Sequence, residues 1–572
     1  MTDMRRTLLW GVFLVSLFLL FEAWNVQNGR PSLLHPAAPK TAASAPAHGA
    51  SGGAGAAATA VAASASGVIP SVASEKVEVV TDVVKATFDS RGGTLVHLEL
   101  LNTPEQIEKP WYEPLLALVG KASTQEAPAR NVVLFDSTSQ RVYVAETGVL
   151  GVAGAPNHLS PMAVVPGERT LKQGVNDLSV SFESAEQGGQ KLVKTFVFHR
   201  GVYTVDVKHE LRNVGTAALP AQQLYLQLTR DSVPGPGGSA FYSTFTGPAV
   251  YNEETKFKKL EFKDVDKAPT TLNADNGWVA MVQHYFASAW VHKAQGAREF
   301  RVRAIDAAEN LYGHRIYTAA ILFPVPTLAP GANFTFDSVL FAGPQEENKL
   351  SEIAPGLQLV KDYGVLKILA EPLFWLLTQL HKILGNWGWA IVALVVLLKI
   401  AFYWLNASAY RSMAKMKAIN PKVMELRERY KDKPQQMQQE MMRIYREEKV
   451  NPIGGCLPIF VQMPFFISLY WVLLSTVEMR GAPWLGWIHD LSLKDPYFIL
   501  PILMTATSLV QVALGAKPPD PVQARMMWFM PLAFSVMFFF FPAGLVLYWL
   551  TNNILSIAQQ YVINKRMGVL NT

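Results

Sequence analysis

The segment ALVVLLKIAFYWL, residues 393–405, could lie in hydrocarbon throughout except at Lys399. It is one of several such runs. Near-continuous apolar stretches occupy Thr7–Trp24, Trp387–Leu405, Leu457–Val477, Phe498–Leu514, Met526–Phe541 and Gly544–Ile563. A helix needs ~20 apolar residues to cross a bilayer, and these runs are close to that length. Unpaired backbone amides are not tolerated in lipid, so runs of this kind in a membrane must be helical. Hydrophobic residues make up 50% of the 572, and they concentrate near the N-terminus and after residue 365.

The first run follows Met4-Arg5-Arg6 and is followed by Glu22, Trp24, Asn25 and Gln27 rather than by small residues. That predicts an uncleaved anchor over residues 1–25, with the arginines keeping the N-terminus in the cytoplasm. Residues 26–75 are almost entirely Ala, Ser, Gly and Pro, a composition that cannot offset ordering entropy and predicts a disordered tether. A single cysteine, Cys456, excludes a disulfide framework and a cysteine-based metal site.

From residue 76 to 350 the pattern becomes short alternating stretches. KLVKTFVFHRGVYTVDVKHELRNVG reads as a strand, a tight turn at Arg200-Gly201 and a second strand. Period-two alternation punctuated by Gly, Pro and Asn predicts a large all-β sandwich. The chemistry in it is sparse. His209-Glu210 lacks the second histidine of a zinc helix, and no G-x-S-x-G elbow or P-loop occurs anywhere in the chain. Arg91-Gly92-Gly93 reads as a hairpin turn. Residues 351–386 then form a linker and an amphipathic helix, with Leu366, Leu369, Leu373, Leu376, Leu377, Leu380 and Leu384 at helical spacing. A helix lying in the membrane surface fits this pattern, with a further span as the competing reading.

Charge sets the topology. Between Arg411 and Lys449 there are eleven Lys or Arg against six Asp or Glu, and Lys517, Arg525, Lys565 and Arg566 mark two further basic segments. The loop Glu478–Tyr497 holds only Arg480 and Lys494 among three acids. The positive-inside rule then places residues 406–456 and both termini in the cytoplasm. The net charge of +6 is therefore an orientation signal rather than a nucleic-acid patch. The Met-rich stretch over 408–450 predicts two cytoplasmic helices broken at Lys433-Pro434.

Polar residues fall in the cytoplasmic halves of the spans. They are Lys399, Gln462, Ser508, Gln511, Thr551, Asn552 and Ser556, with Asn553, Gln559 and Gln560 nearby. Facing one another, they would line a wet groove open to the cytoplasm. No Asp or Glu lies in the five later spans to pair with Lys399, so water is its expected companion. The plain alternative has Lys399 snorkelling to the interface along its own stem. A small-solute transporter with a mid-membrane basic site is the rival function. It predicts inverted repeats and paired ionisable groups, which the runs do not show. An intramembrane enzyme would need a serine partner for Lys399 in a recognisable motif, and none is present.

The stretches SMAKMKAINPK, EKVNPIGGCLPIFVQMPFF, WIHDLSLKDPY, ILPILM and FPAGLVLYWLTNN resemble the YidC family of membrane protein insertases in its Gram-negative form, over about residues 360–566. The resemblance implies a polytopic α-helical membrane protein. Six transmembrane helices are expected, five of them (387–566) forming the core, with a β-supersandwich as the periplasmic domain in the bacterial inner membrane. It implies no enzyme activity and no cofactor. The implied partners are nascent membrane proteins, the Sec translocon, the ribosome and the lipid bilayer. The family's basic groove position falls on Lys399, where arginine is usual, so charge is kept and the bidentate fork is lost. Phe465, Trp487, Tyr548 and Trp549 match the region along which a substrate helix slides. Tyr410 and Asp520 match positions linked to ribosome contact. Residues 567–572 form a short tail, so no long basic ribosome-binding extension is expected.

Overall fold

The computed structural model describes residues 74–106, 130–138, 141–233, 244–430, 433–448, 457–515 and 521–568. The expected anchor, the tether up to residue 73, Asp520 and residues 569–572 lie outside the described residues. The chain divides into a β unit ending at Asp362 and a helical unit beginning at Tyr363.

Within the β unit, eighteen strands among the described residues form two nine-stranded sheets with antiparallel strand pairs. The alternation read from the sequence is the burial pattern. Along Gln190–His199 every second side chain points into the core. Gly201, in the turn to Thr204–Asn213, has φ +75°, a conformation that suits glycine. Phe88 from one sheet meets Phe182, Phe196 and Phe198 of the other, at ring-centroid distances of 5.3, 4.6 and 6.1 Å. Gly92 is required where it stands: its φ is +72°, and a Cβ there would lie 2.2 Å from the carbonyl oxygen of His158.

Polar groups also bridge the sheets. Lys194, fully buried, donates from Nζ to the carbonyls of Gly92 at 2.6 Å and Thr147 at 2.7 Å. His209 Nε2 lies 3.0 Å from Thr147 Oγ1, and the Tyr143 hydroxyl bonds to Ser288 Oγ. Burial pushes Lys194 down to about 7, only partly opposed by the Glu146 carboxylate, and holds His209 down at about 3.

The helical unit contains α1 (Lys367–Leu384), α2 (Trp387–Ala401), α3 (Tyr403–Arg429), α4 (Pro434–Glu447), α5 (Leu457–Ser475), α6 (Ile499–Leu514), α7 (Pro521–Phe538) and α8 (Ala543–Arg566). The expected amphipathic helix is α1, which buries Ala370, Leu373, Phe374 and Leu377 and exposes Ile368, Trp375 and Ile383. Four of the five expected core runs each correspond to one helix, α5 to α8, and the run from Trp387 is shared by α2 and the start of α3. Their apolar ends pack into a common cluster that includes Ile391, Leu394, Leu469, Leu473, Leu500, Phe538, Leu545 and Val546.

Two boundaries differ from expectation. The run Trp387–Leu405 does not stay in one helix: it breaks at Phe402, and α3 leaves at 69° to α2. The cytoplasmic helices expected from residue 408 therefore begin at Tyr403. Contacts with neighbouring helices hold the turned segment. Asn406 Oδ1 accepts from Gln462 Nε2 at 3.1 Å, and the Tyr403 carbonyl accepts from Gln559 Nε2 at 3.4 Å. Among the described residues no single helix is long and apolar enough to cross a membrane alone, and α2 with α3 passes only as a bent pair. At ~1.5 Å per residue, the 16 residues of α6 span about 24 Å, less than a typical hydrocarbon core.

Candidate functional site

The polar residues collect at one end of the helical unit because each helix contributes the end opposite its apolar packing. Lys399 lies in the last turn of α2, where the free carbonyls of a helix C-terminus favour a cation. Its Nζ donates to Ser556 Oγ of α8 at 2.7 Å, and Ser556 Oγ donates to the Asn552 carbonyl at 2.7 Å. Lys399 is half-buried and, among the described residues, has no carboxylate within ion-pair distance. The companion expected to be water is, in the fold itself, a serine hydroxyl.

A second polar seam joins α6 to α8. Asn553 Nδ2 donates to Ser508 Oγ at 2.9 Å and to Thr507 Oγ1 at 3.4 Å. Asn564 Nδ2 donates to the Leu514 carbonyl at 3.0 Å. Ser508 also returns its proton to its own helix at Met504 O, 2.9 Å away. Gln462 belongs to neither seam, since it pairs with Asn406. Thr551 is bonded within α8, to Leu547 O at 2.8 Å, and Gln511 and Asn552 are half-buried. Asn406 Nδ2 and Gln560 Oε1 are buried with no hydrogen-bond partner among the described residues.

The aromatic positions divide. Phe465 stacks edge-on against Phe402, 5.0 Å between centroids, close to the bend. Tyr548 is buried in the apolar cluster and, with Trp549, packs on Phe466 at 5.1 and 4.2 Å. Trp487 sits on the loop between α5 and α6 and donates its indole N–H to Asp495 at 3.0 Å. Tyr410 is half-buried, and Asp520 lies outside the described residues.

Residues passed over in the sequence are Asn406, Thr507, Asn564, Phe466 and Asp495. Two of them had a signal. Asn553, Ser556, Gln560 and Asn564 recur at i, i+3, i+7 and i+11, one buried stripe along α8. Asn406 stands three residues after Tyr403 and four before Tyr410, on one face of α3.

Two family models divide the chain nearly where its units divide. The YidC periplasmic domain matches residues 76–376 and the 60Kd inner membrane protein matches residues 379–569. A Cupriavidus necator protein named membrane protein insertase YidC is 51% identical over 99% of this chain and 98% of its own length. The chain belongs to the YidC family. A Ralstonia nicotianae member is 49% identical, and one from Paraburkholderia phymatum 48%, each over 99% of this chain and 98% and 99% of its own length respectively. A solved active YidC insertase aligns with 85% of this chain and 92% of its own at 18% identity and a TM-score of 0.38. The YidC periplasmic-domain match contains the whole described sandwich. The 60Kd match contains α2 to α8, and therefore every residue of the two polar seams.

Proposed function

We propose that this protein inserts nascent membrane proteins into the bacterial inner membrane. The polar end of α2, α3, α5, α6 and α8 receives the segment to be translocated from the cytoplasm. Relatives about 50% identical over the full chain carry the insertase name, which supports the activity. The observation that carries the mechanism is the Lys399 ammonium, set at the end of an apolar helix and held by the Ser556 hydroxyl oxygen with no carboxylate partner among the described residues. A cation in that setting attracts an acidic or polar segment without being neutralised beforehand. The side-chain amides of Gln462 and Asn406, and of Asn553, offer hydrogen bonds that replace some of the water the segment gives up. Release of the substrate's apolar helix into lipid supplies the driving force, so no nucleotide is required. The sandwich is periplasmic, the termini and α3–α4 are cytoplasmic, and the Sec translocon and ribosome are partners in delivery. Phe465, Trp487, Tyr548 and Trp549 form the region along which the substrate helix slides.

The test uses purified protein in liposomes with a single-span substrate carrying a short acidic tail, read by protease protection of the tail. Lys399→Ala is expected to lower protection about tenfold, the equivalent of one modest charge interaction, while Lys399→Arg stays near native. Equal protection by all three would show that polarity alone carries insertion. A native chain that protects nothing would overturn the activity itself.

A further inference from the structure

Ser556 joins two helices at the cation. A serine hydroxyl has one proton and two lone pairs. The proton goes to the Asn552 carbonyl on α8, at 2.7 Å, which leaves Oγ to receive Lys399 Nζ from α2. Tyr410 shares its face of α3 with Tyr403 and Asn406, whose carbonyl and side chain bond Gln559 of α8 and Gln462 of α5. That stripe of α3 is docked onto the helical unit beyond the 69° bend.

We propose that Ser556 is a positioning residue for the Lys399 cation, and that it sets the preference for acidic over neutral substrate tails. The inference rests on the reading of Lys399 as the groove charge. Lysine is a point charge on a flexible four-carbon stem, and nothing in its own geometry aims it. A chain with arginine at this position can present a planar fork, whereas this one has a single ammonium that needs a fixed landing point. Ser556 takes one of its three N–H groups and leaves two for an incoming carboxylate. The Asn552 carbonyl holds the Ser556 proton and so keeps Oγ free to face the ammonium. This role at the cation operates with no ribosome present.

The experiment is therefore ribosome-free. Full-length protein in liposomes is given a single-span substrate diluted from denaturant, with either an acidic tail or the same tail with its acids changed to amides. The readout is the ratio of acidic to neutral tails protected. The native chain is expected to favour the acidic tail. Ser556→Ala should lower the ratio about fivefold, the worth of one hydrogen bond, and Ser556→Thr should restore it. A role only in packing would lower both substrates together and keep the ratio, and that result would overturn the proposal. A native preference untouched by Ser556→Ala would overturn it equally. A native chain with no preference would instead overturn the reading of Lys399 beneath it.

Discussion

Replacing Asp495 with alanine is expected to destabilise the helical unit by about 3 kcal/mol, the cost of leaving several buried donors without their charged acceptor. The carboxylate is buried on the loop between α5 and α6 and accepts three hydrogen bonds. They come from Trp487 Nε1 at 3.0 Å, the Tyr497 amide at 3.0 Å and the Leu500 amide at 2.7 Å. The last is an N–H of the first turn of α6, so Asp495 caps that helix across the loop. Between them stands Phe498, a non-glycine residue at φ +58° and the residue preceding α6. A side chain in the left-handed region costs free energy that surrounding contacts must offset, and the Asp495 bonds to the amides on either side of it are among them. Asp495→Asn keeps one acceptor oxygen and should lose roughly half as much. The thermal midpoint of the detergent-solubilised chain checks the ranking, and the emission of Trp487 should shift to the red. Midpoints equal to native in both variants would sink the claim.

The sandwich should gain stability as pH rises from about 7 toward 10, because of Lys194. In the unfolded chain a lysine titrates near ~10.4, whereas its buried ammonium titrates at about 7. Between those values the unfolded state binds more protons, so stability climbs with pH and the burial cost is fully present only below the lower value. His209, held at about 3 against an ordinary ~6.5, acts in the same direction over its own, more acidic window. From pH 7 to pH 9 the lysine contributes about 2–3 kcal/mol. The urea midpoint of the β transition in the full chain should therefore be higher at pH 9, and Lys194→Met should remove most of the difference. A pH slope that persists in Lys194→Met would show that another group controls it.

The sandwich was legible because a period of two is hard to mistake over strands such as Gln190–His199. Lys194 stood in plain view there, at an inward position between Leu192 and Phe196, yet a lysine in a strand reads as solvent-facing until its neighbours are seen. The helical runs were equally plain in the sequence. The bend at Phe402 was not, because neither proline nor glycine marks it and apolar residues continue through it to Leu405. What turns the chain there is tertiary: Gln462 and Gln559, distant in sequence, hold Asn406 and the Tyr403 carbonyl. The same limit applies at the cation. Hydropathy places Lys399 and the α8 stripe at similar depth, but no spacing rule says that Ser556 rather than Asn553 receives the ammonium. Tyr548 and Phe466 show the converse, since ring chemistry alone cannot separate an aromatic that lines a surface from one that supports it.

α8 runs unbroken for 24 residues, from Leu545 and Val546 in the apolar cluster to Asn564 beside α6. It therefore works as a lever as well as a wall. Ser556 lies eleven residues from Leu545, about 16 Å along the axis, so a tilt of only ~10° about the apolar end would carry the hydroxyl about 3 Å. That is longer than the bond by which it holds Lys399. The aim of the charge at one end of the bundle is thus inherited from the tightness of hydrocarbon packing at the other, and loosening the seal would also misdirect the cation.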